Sequence, residues 1–268
     1  MLRISRLGIF FILFLLVIFI FTYSYKPPKI IRLAGSTAFL PFAEKLAEEY
    51  MKRNPGIVVD VQGGGSAVGI MVAREGIADI GMVDMVILPK ETERLEKVIV
   101  ARDGIAVIVN NSNKVNDLTL TKLRDLFSGK ITNWKEIGGD DAKIRVISRE
   151  EGSGTRKSFD LLVLSGRKVT PDAMYQDSNG TIREAVKSDK DSIGYISIGI
   201  LNPDVKALSI DGISANNENV KLSRYKIARP IYFLLKSNYS VQTRDFVNYI
   251  LGTEAQKIME KDGLITVI

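Results

Sequence analysis

Residues 30–66 read IIRLAGSTAFLPFAEKLAEEYMKRNPGIVVDVQGGGS, and the change of hydrophobic period along them decides the fold class. Ile30 to Ala34 is a short β-rich run stopped by Gly35. From Phe42 to Arg53 the apolar positions Phe42, Leu46, Ala47 and Tyr50 recur at helical spacing, and Asn54-Pro55-Gly56 closes the helix. Ile57 to Val61 alternates as a strand, and Gly63-Gly64-Gly65-Ser66 leads into a helix expected over Ala67 to Arg74. Downstream, Ile80–Val83, Val98–Ala101, Ile105–Val109 and Ile144–Ile147 read as strands, and Leu118–Phe127 and Thr155–Leu164 as helices. Ile182–Val186, Ile193–Ile200 and Ala228–Leu235 are further segments of strand length, Asn179-Gly180-Thr181 also reads as a turn and helix start, and helices near Thr243–Leu251 and Glu254–Lys261 end the pattern. Strands alternating with helices predict an α/β fold with mostly parallel sheets. No internal repeat or low-complexity tract interrupts it.

The chain has 268 residues and neither cysteine nor histidine. Nucleophile systems that rest on imidazole or thiolate are therefore excluded, disulfides cannot form, and zinc or iron–sulfur sites are not expected. The net charge is +6, but Arg3, Arg6, Lys26, Lys29 and Arg32 supply five of those charges from a stretch without acids. The rest is nearly neutral, which argues against a nucleic-acid partner. Leu7 to Phe21 is unbroken apolar or Gly, and extension to Tyr25 gives a helix about 28 Å long, near the thickness of a bilayer core. With no Ala-x-Ala site after it, an uncleaved membrane anchor is favoured over a cleaved export signal. Lys26-Pro27-Pro28-Lys29 then reads as a stiff spacer.

Three turns join an expected strand to an expected helix: Gly35-Ser36-Thr37, Gly63-Gly64-Gly65-Ser66 and Gly152-Ser153-Gly154-Thr155. Such turns lie at the carboxyl ends of strands, where α/β sheets bind ligands, and each offers backbone N–H groups and a hydroxyl to an anion. Singly, each is ordinary N-cap and turn chemistry. Three together, with Arg149 and Arg156 flanking the third, point to an anion site. None is a P-loop, so nucleotide hydrolysis loses its main support. Trp134 reads as a packed turn aromatic and Asp79 as a turn residue, while Asn110, Asn179 and Asn238 sit in N-x-[ST] sequons.

These turns occur in order with Ala78-Asp79-Ile80-Gly81-Met82, Phe127 to Trp134, Arg149 to Arg156, Ser178-Asn179-Gly180 and Ile193-Gly194-Tyr195-Ile196. Together they resemble the phosphate-binding proteins of ABC-type phosphate importers, from Ile30 to the C-terminal helices. The resemblance implies a two-lobed periplasmic-binding-protein-like fold of type II, preceded by the N-terminal hydrophobic helix. Residues 1–29 would be anchor and spacer, 30–104 plus 229–268 the first lobe, and 105–228 the second. It implies an exported monomer that binds inorganic phosphate without chemistry, metal or cofactor and delivers it to permease subunits. Carried over by residue, Ser36, Thr37, Ala38 and Ser66 would donate from one lobe, and Ser153, Gly154 and Thr155 from the other. Arg149 would supply the charged pair, oriented by Glu151, and Asp84 would accept a proton still carried by phosphate. Ala38 and Val83 depart from the residues usual in the family.

A carboxylate at Asp84 would face only lone pairs on sulfate, so it would select by repulsion as well as attraction. Read without the resemblance, Asp84 is also a turn cap, Arg149 a surface or ion-pair arginine, and Glu151 a helix cap. Arg156 faces Asp84, Glu151 or solvent. Other oxyanions (sulfate, molybdate, tungstate), a surface sensor and a phosphoryl-transfer enzyme using Ser or Thr with a carboxylate are the rival readings.

Overall fold

The computed structural model describes residues 27–267. Its first strand, β1 (Lys29–Gly35), is followed by α1 (Leu40–Arg53), which buries Phe42, Leu46, Ala47 and Tyr50, the face read from the spacing. β2 (Ile57–Gln62) runs parallel to β1 from Lys29↔Ile57 to Ala34↔Gln62. After α2 (Ser66–Glu75), β3 (Ile80–Val83) pairs parallel with β1 on its other edge. α2 lies directly on β3 because glycine stands where their backbones meet. A Cβ on Gly69 would come within 2.4 Å of the Met82 carbonyl oxygen.

β4 (Glu96–Asn110) is one strand of 15 residues, where two were expected. Arg102, Asp103 and Gly104, the polar break between the apolar runs, stay in register with Pro230, Arg229 and Ala228 of β11 (Ala228–Leu235). Ladder pairing carries the strand through a stretch that hydrophobicity alone would end. Between β4 and β11 come β5 (Asp117–Leu118), α3 (Leu120–Phe127), β6 (Arg145–Arg149), α4 (Gly154–Phe159), β7 (Met174–Gln176) and α5 (Asn179–Ser188). They are followed by β8 (Ser192–Ser197), β9 (Val205–Ala207), β10 (Ser209–Ile210) and α6 (Asn217–Lys221). α7 (Val241–Leu251) and α8 (Thr253–Lys261) close the chain.

The main sheet has the order β2-β1-β3-β11-β4-β8-β6-β7, with β9 also on β4. The expectation of mostly parallel sheets holds within each half, and the joining strands are the exceptions. β1 is parallel to β2 and β3, and β6 to β7 and β8. However, β11 is antiparallel to β3 and β4, and β4 to β8 and β9. The chain leaves the first half along β4 and returns along β11, so the two joining strands must run in opposite directions.

Apolar packing forms two large clusters. One gathers Ile31, Leu33, Phe39, Leu46, Val100, Ala101, Phe233 and Phe246; the other Ile105 to Val109, Phe127, Trp134, Phe159 and Tyr195. The change falls between Ala101 and Ile105 on β4, and between Ile227 and Ile231 at β11. Trp134 is buried and its Nε1 donates to the Asp191 carbonyl at 2.9 Å, as a packed turn aromatic does.

Three smaller expectations also change. Ile182–Val186 lies within α5, whose Ser178 and Thr181 cap each other reciprocally. Two apolar residues four apart fit a strand face and a helix face equally, so the window was ambiguous. The helix expected over Thr155–Leu164 is α-helical only to Phe159 and continues as a π turn over Asp160–Leu164. Leu118 belongs to β5, and α3 starts after the Thr119 cap. Among the described residues no helix is long and apolar enough to cross a membrane. The expected anchor, Leu7 to Tyr25, lies outside them.

Candidate functional site

β1 ends at Gly35, where φ is +138° and a Cβ would sit 2.1 Å from the Met82 carbonyl oxygen, so only glycine fits. The next N–H, of Ser36, donates to that carbonyl at 2.9 Å. Ser36 Oγ accepts from Phe39 N at 3.3 Å, and Thr37 Oγ1 accepts from Asn179 Nδ2 at 3.2 Å. The second turn docks on the first through Gly65 N to Gly35 O, 2.8 Å, and on the third through Ala67 N to Gly152 O, 3.0 Å. In the third turn Ser153 caps α4, its Oγ accepting from Arg156 N at 3.2 Å. The first and third turns are thus both tied by hydrogen bonds to the second turn and the start of its helix.

Ser36, Thr37 and Ser153 each accept an N–H at the hydroxyl oxygen, which leaves the hydroxyl hydrogen to donate elsewhere. Gly154 and Thr155 open α4, where N–H groups have no partner inside the helix. Arg149, at the end of β6, is 1 % exposed. Its Nε and Nη2 donate to Glu150 at 2.9 Å each, and also to the carbonyls of Gln176 (3.2 Å) and Asp177 (2.9 Å). One edge of the guanidinium is therefore pinned, while Nη1 is buried with no hydrogen-bond partner.

Asp84, just after β3, is 2 % exposed. Its Oδ1 accepts from Ser66 Oγ at 2.6 Å, and its Oδ2 from Thr155 Oγ1 at 2.8 Å and Arg229 Nε at 2.9 Å. Burial pushes this carboxyl up. The Arg229 charge and the bonds from Ser66, Thr155 and Arg229 outweigh it and hold the group below the usual range. Arg229 Nη2 also lies 3.1 Å from Asp103 Oδ2, although neither Asp103 oxygen has a well-directed hydrogen bond. Burial pushes Asp103 up to about 6, against the opposing pull of Arg229 and Ser197. Gly154 packs onto this cluster: a Cβ there would stand 2.2 Å from Ser66 Oγ and 2.5 Å from Asp84 Oδ1. Among the described residues no group of His, Cys, Asp or Glu could hold a metal.

Free hydroxyl and N–H donors and a buried guanidinium nitrogen without a partner are the groups by which a protein can hold an oxyanion. Comparison with known proteins places the chain in a family. Residues 24–254 match the family model of the PBP superfamily domain. The phosphate-binding protein PstS of Bacillus subtilis (strain 168) is 33% identical over 240 residues, covering 88% of this chain and 80% of that protein. The chain belongs to this family. A crystal structure from Clostridium perfringens, described as a phosphate ABC transporter substrate-binding protein with bound phosphate, superposes with a TM-score of 0.87 at 38% identity. It covers 90% of this chain and 100% of that one. An ABC-type phosphate transport receptor from Vibrio cholerae follows at TM-score 0.74 and 34% identity, over 88% of this chain and 99% of that one.

The residues expected from sequence lie in or beside the three turns and the Asp84 cluster. The role of Glu151, expected to orient Arg149, falls to another residue. Glu151 is exposed, and its neighbour Glu150 makes the paired contact instead. Two other roles shift. The hydroxyls of Ser66 and Thr155 donate to Asp84, which commits their protons within the protein. Arg156 faces neither Asp84 nor Glu151. Its Nη1 donates to the Arg149 carbonyl at 2.8 Å, and its guanidinium sits 5.1 Å from the Tyr175 ring centre. Asn179 is fully buried, with its amide spent on Thr37 Oγ1 and Ser197 N, so it is no glycosylation acceptor. Arg229 and Asp103 were missed. The available signal was a charge flanked by apolar runs, at Ala228-Arg229-Pro230 and Arg102-Asp103-Gly104.

Proposed function

We propose that the chain binds one inorganic phosphate outside the cell and hands it, chemically unchanged, to the permease of an ABC importer. The guest would sit between two lobes, residues 30–104 with 229–268 and residues 105–228, joined by β4 and β11. Ser36, Thr37 and Ser153 would donate hydroxyls, Ala38, Gly154 and Thr155 backbone N–H groups, and Arg149 its Nη1. Asp84 Oδ1 would accept the proton that phosphate retains. The residues 7–25 would hold the chain, as a monomer, at the outer face of the membrane.

The observation that carries this reading is Arg149 Nη1, a buried cationic donor without a protein acceptor. Such a group is costly unless an anion completes it, and a charge-assisted contact to an oxyanion is its natural partner. A dehydrated oxyanion in turn needs many well-aimed donors, and neutral N–H and O–H groups supply them without crowding cations together. The names of the relatives support phosphate as the guest. Binding without chemistry is further supported by the Ser66 and Thr155 hydroxyls, whose protons are committed to a carboxylate held ionised. Calorimetric titration of the full chain tests the proposal. One-to-one binding of phosphate with no heat from sulfate is expected, and Asp84→Asn should weaken the rejection of sulfate. Absence of phosphate binding, or equal binding of sulfate by the unmodified protein, overturns it.

A further inference from the structure

We infer that Arg229 is a positioning residue for specificity: by saturating Asp84 Oδ2 it leaves a single Oδ1 lone pair for the guest, and so restricts the site to tetrahedral oxyanions that carry a proton. The inference rests on the phosphate reading above and adds to it the group that enforces selection.

The geometry is that of a clamp behind the cradle. Arg229 lies on the returning strand β11, 145 residues from Asp84 in sequence, and its side chain is fully buried. Nε and Nη2 both stand 2.9 Å from Asp84 Oδ2. Nη2 hydrogen-bonds to Thr155 Oγ1 at 3.2 Å, and that hydroxyl in turn adds a second donor to Oδ2 at 2.8 Å, so that oxygen has no lone pair left. Oδ1 carries only the Ser66 hydroxyl, at 2.6 Å, and retains room for one more donor. A guest that brings a P–OH can use it. A fully ionised guest brings a lone pair against a fixed anion and is repelled.

Two features show that Arg229 maintains this state rather than merely filling space. The charged groups facing Asp84 are Arg229 on β11 and Asp103 on β4; α2 and α4 bring only the hydroxyls of Ser66, Thr155 and Ser158. Among the described residues Arg229 is therefore the one cation paired with these two buried carboxylates. Burial also disfavours the charged form of Asp84, so without Arg229 this carboxyl gains a proton and turns from an acceptor into a donor. A donor at that point welcomes sulfate.

Titrations of phosphate and of sulfate from pH 5 to 9, on the unmodified protein, Arg229→Gln and Arg229→Lys, test this. In R229Q the preference for phosphate over sulfate should fall by about a hundredfold near pH 6, the scale of one charged hydrogen bond, and recover as pH rises. In R229K the retained charge keeps sulfate out while phosphate binds about tenfold more weakly, the cost of roughly one hydrogen bond. The inference is overturned if R229Q binds phosphate with the unmodified preference at every pH. Should R229Q fail to fold, loss of the preference in R229K overturns it, and its retention supports it. Failure of the unmodified protein to bind phosphate is a separate result, and sinks the phosphate reading on which the inference stands.

Discussion

Gly154→Ala is the sharpest probe of closure, because one methyl group would be placed between the two halves. Gly154 opens α4, and the added Cβ would stand 2.2 Å from Ser66 Oγ, 2.5 Å from Asp84 Oδ1 and 2.9 Å from the Asp84 carbonyl oxygen. Ordinary contact begins near 3.4 Å, so the faces must part by at least about 1 Å at this point. Neither Ser66 nor Asp84 can swing aside, since both are buried and bonded to each other. Parting strains or breaks Thr155 Oγ1 to Asp84 Oδ2 (2.8 Å), Ser158 Oγ to the Asp84 carbonyl (3.2 Å) and Ala67 N to the Gly152 carbonyl (3.0 Å). At about 1 kcal/mol for each neutral bond and about 2 for the charged one, closure loses about 4 kcal/mol. Phosphate affinity should then drop about a thousandfold. The φ of Gly154 is not positive, and alanine suits the first turn of a helix, so the ligand-free protein should melt within a few degrees of the unmodified one. Calorimetric titration and thermal unfolding read the two quantities. A variant that melts normally yet binds phosphate within tenfold of the parent would refute the reasoning, since the two halves would not then meet at Gly154 in the bound state.

Three other outcomes follow from the site. Glu150→Gln should weaken phosphate binding about tenfold by loosening the Arg149 fork, whereas Glu151→Gln should leave it unchanged; equal effects in titration would remove the distinction. Asp103, raised from 3.8 to about 6, binds its proton more tightly in the folded protein. Stability measured by urea unfolding should therefore fall by about 3 kcal/mol as pH rises from about 4 to about 6 and level off above, and Asp103→Asn should flatten that descent. Asp84 acts in the opposite sense: its lowered carboxyl contributes stability above its ordinary value that is lost on further acidification. Asn179→Ala removes the link to Thr37 and leaves the Ser197 N–H buried without its acceptor, which should destabilise the protein by about 1–3 kcal/mol in the same assay.

Much of this architecture was readable before any coordinates, because the information is local. A helix face repeats every three to four residues, a strand alternates, and Gly-Ser-Thr turns between them carry their own capping chemistry. α1, β2 and β3 lie where the periods placed them, and Gly35 and Ser153 hold the turn and cap positions that their residue types suit. The excess charge near the amino end and the absence of histidine and cysteine were likewise properties of composition.

What could not be read from the chain is whatever depends on which distant segments meet. Glu150 and Glu151 are adjacent and chemically alike, and only the course of the backbone after β6 turns one toward Arg149 and the other to solvent. Arg229 and Asp103 face each other because β11 and β4 pair in a particular register, and Asp84 joins them because β3 flanks β11. The same ladder fuses two apolar runs into one long strand across a polar break. Periodicity records where a side chain points relative to its own segment. A buried charge is tolerated only by its partners, and those partners are chosen by sheet topology.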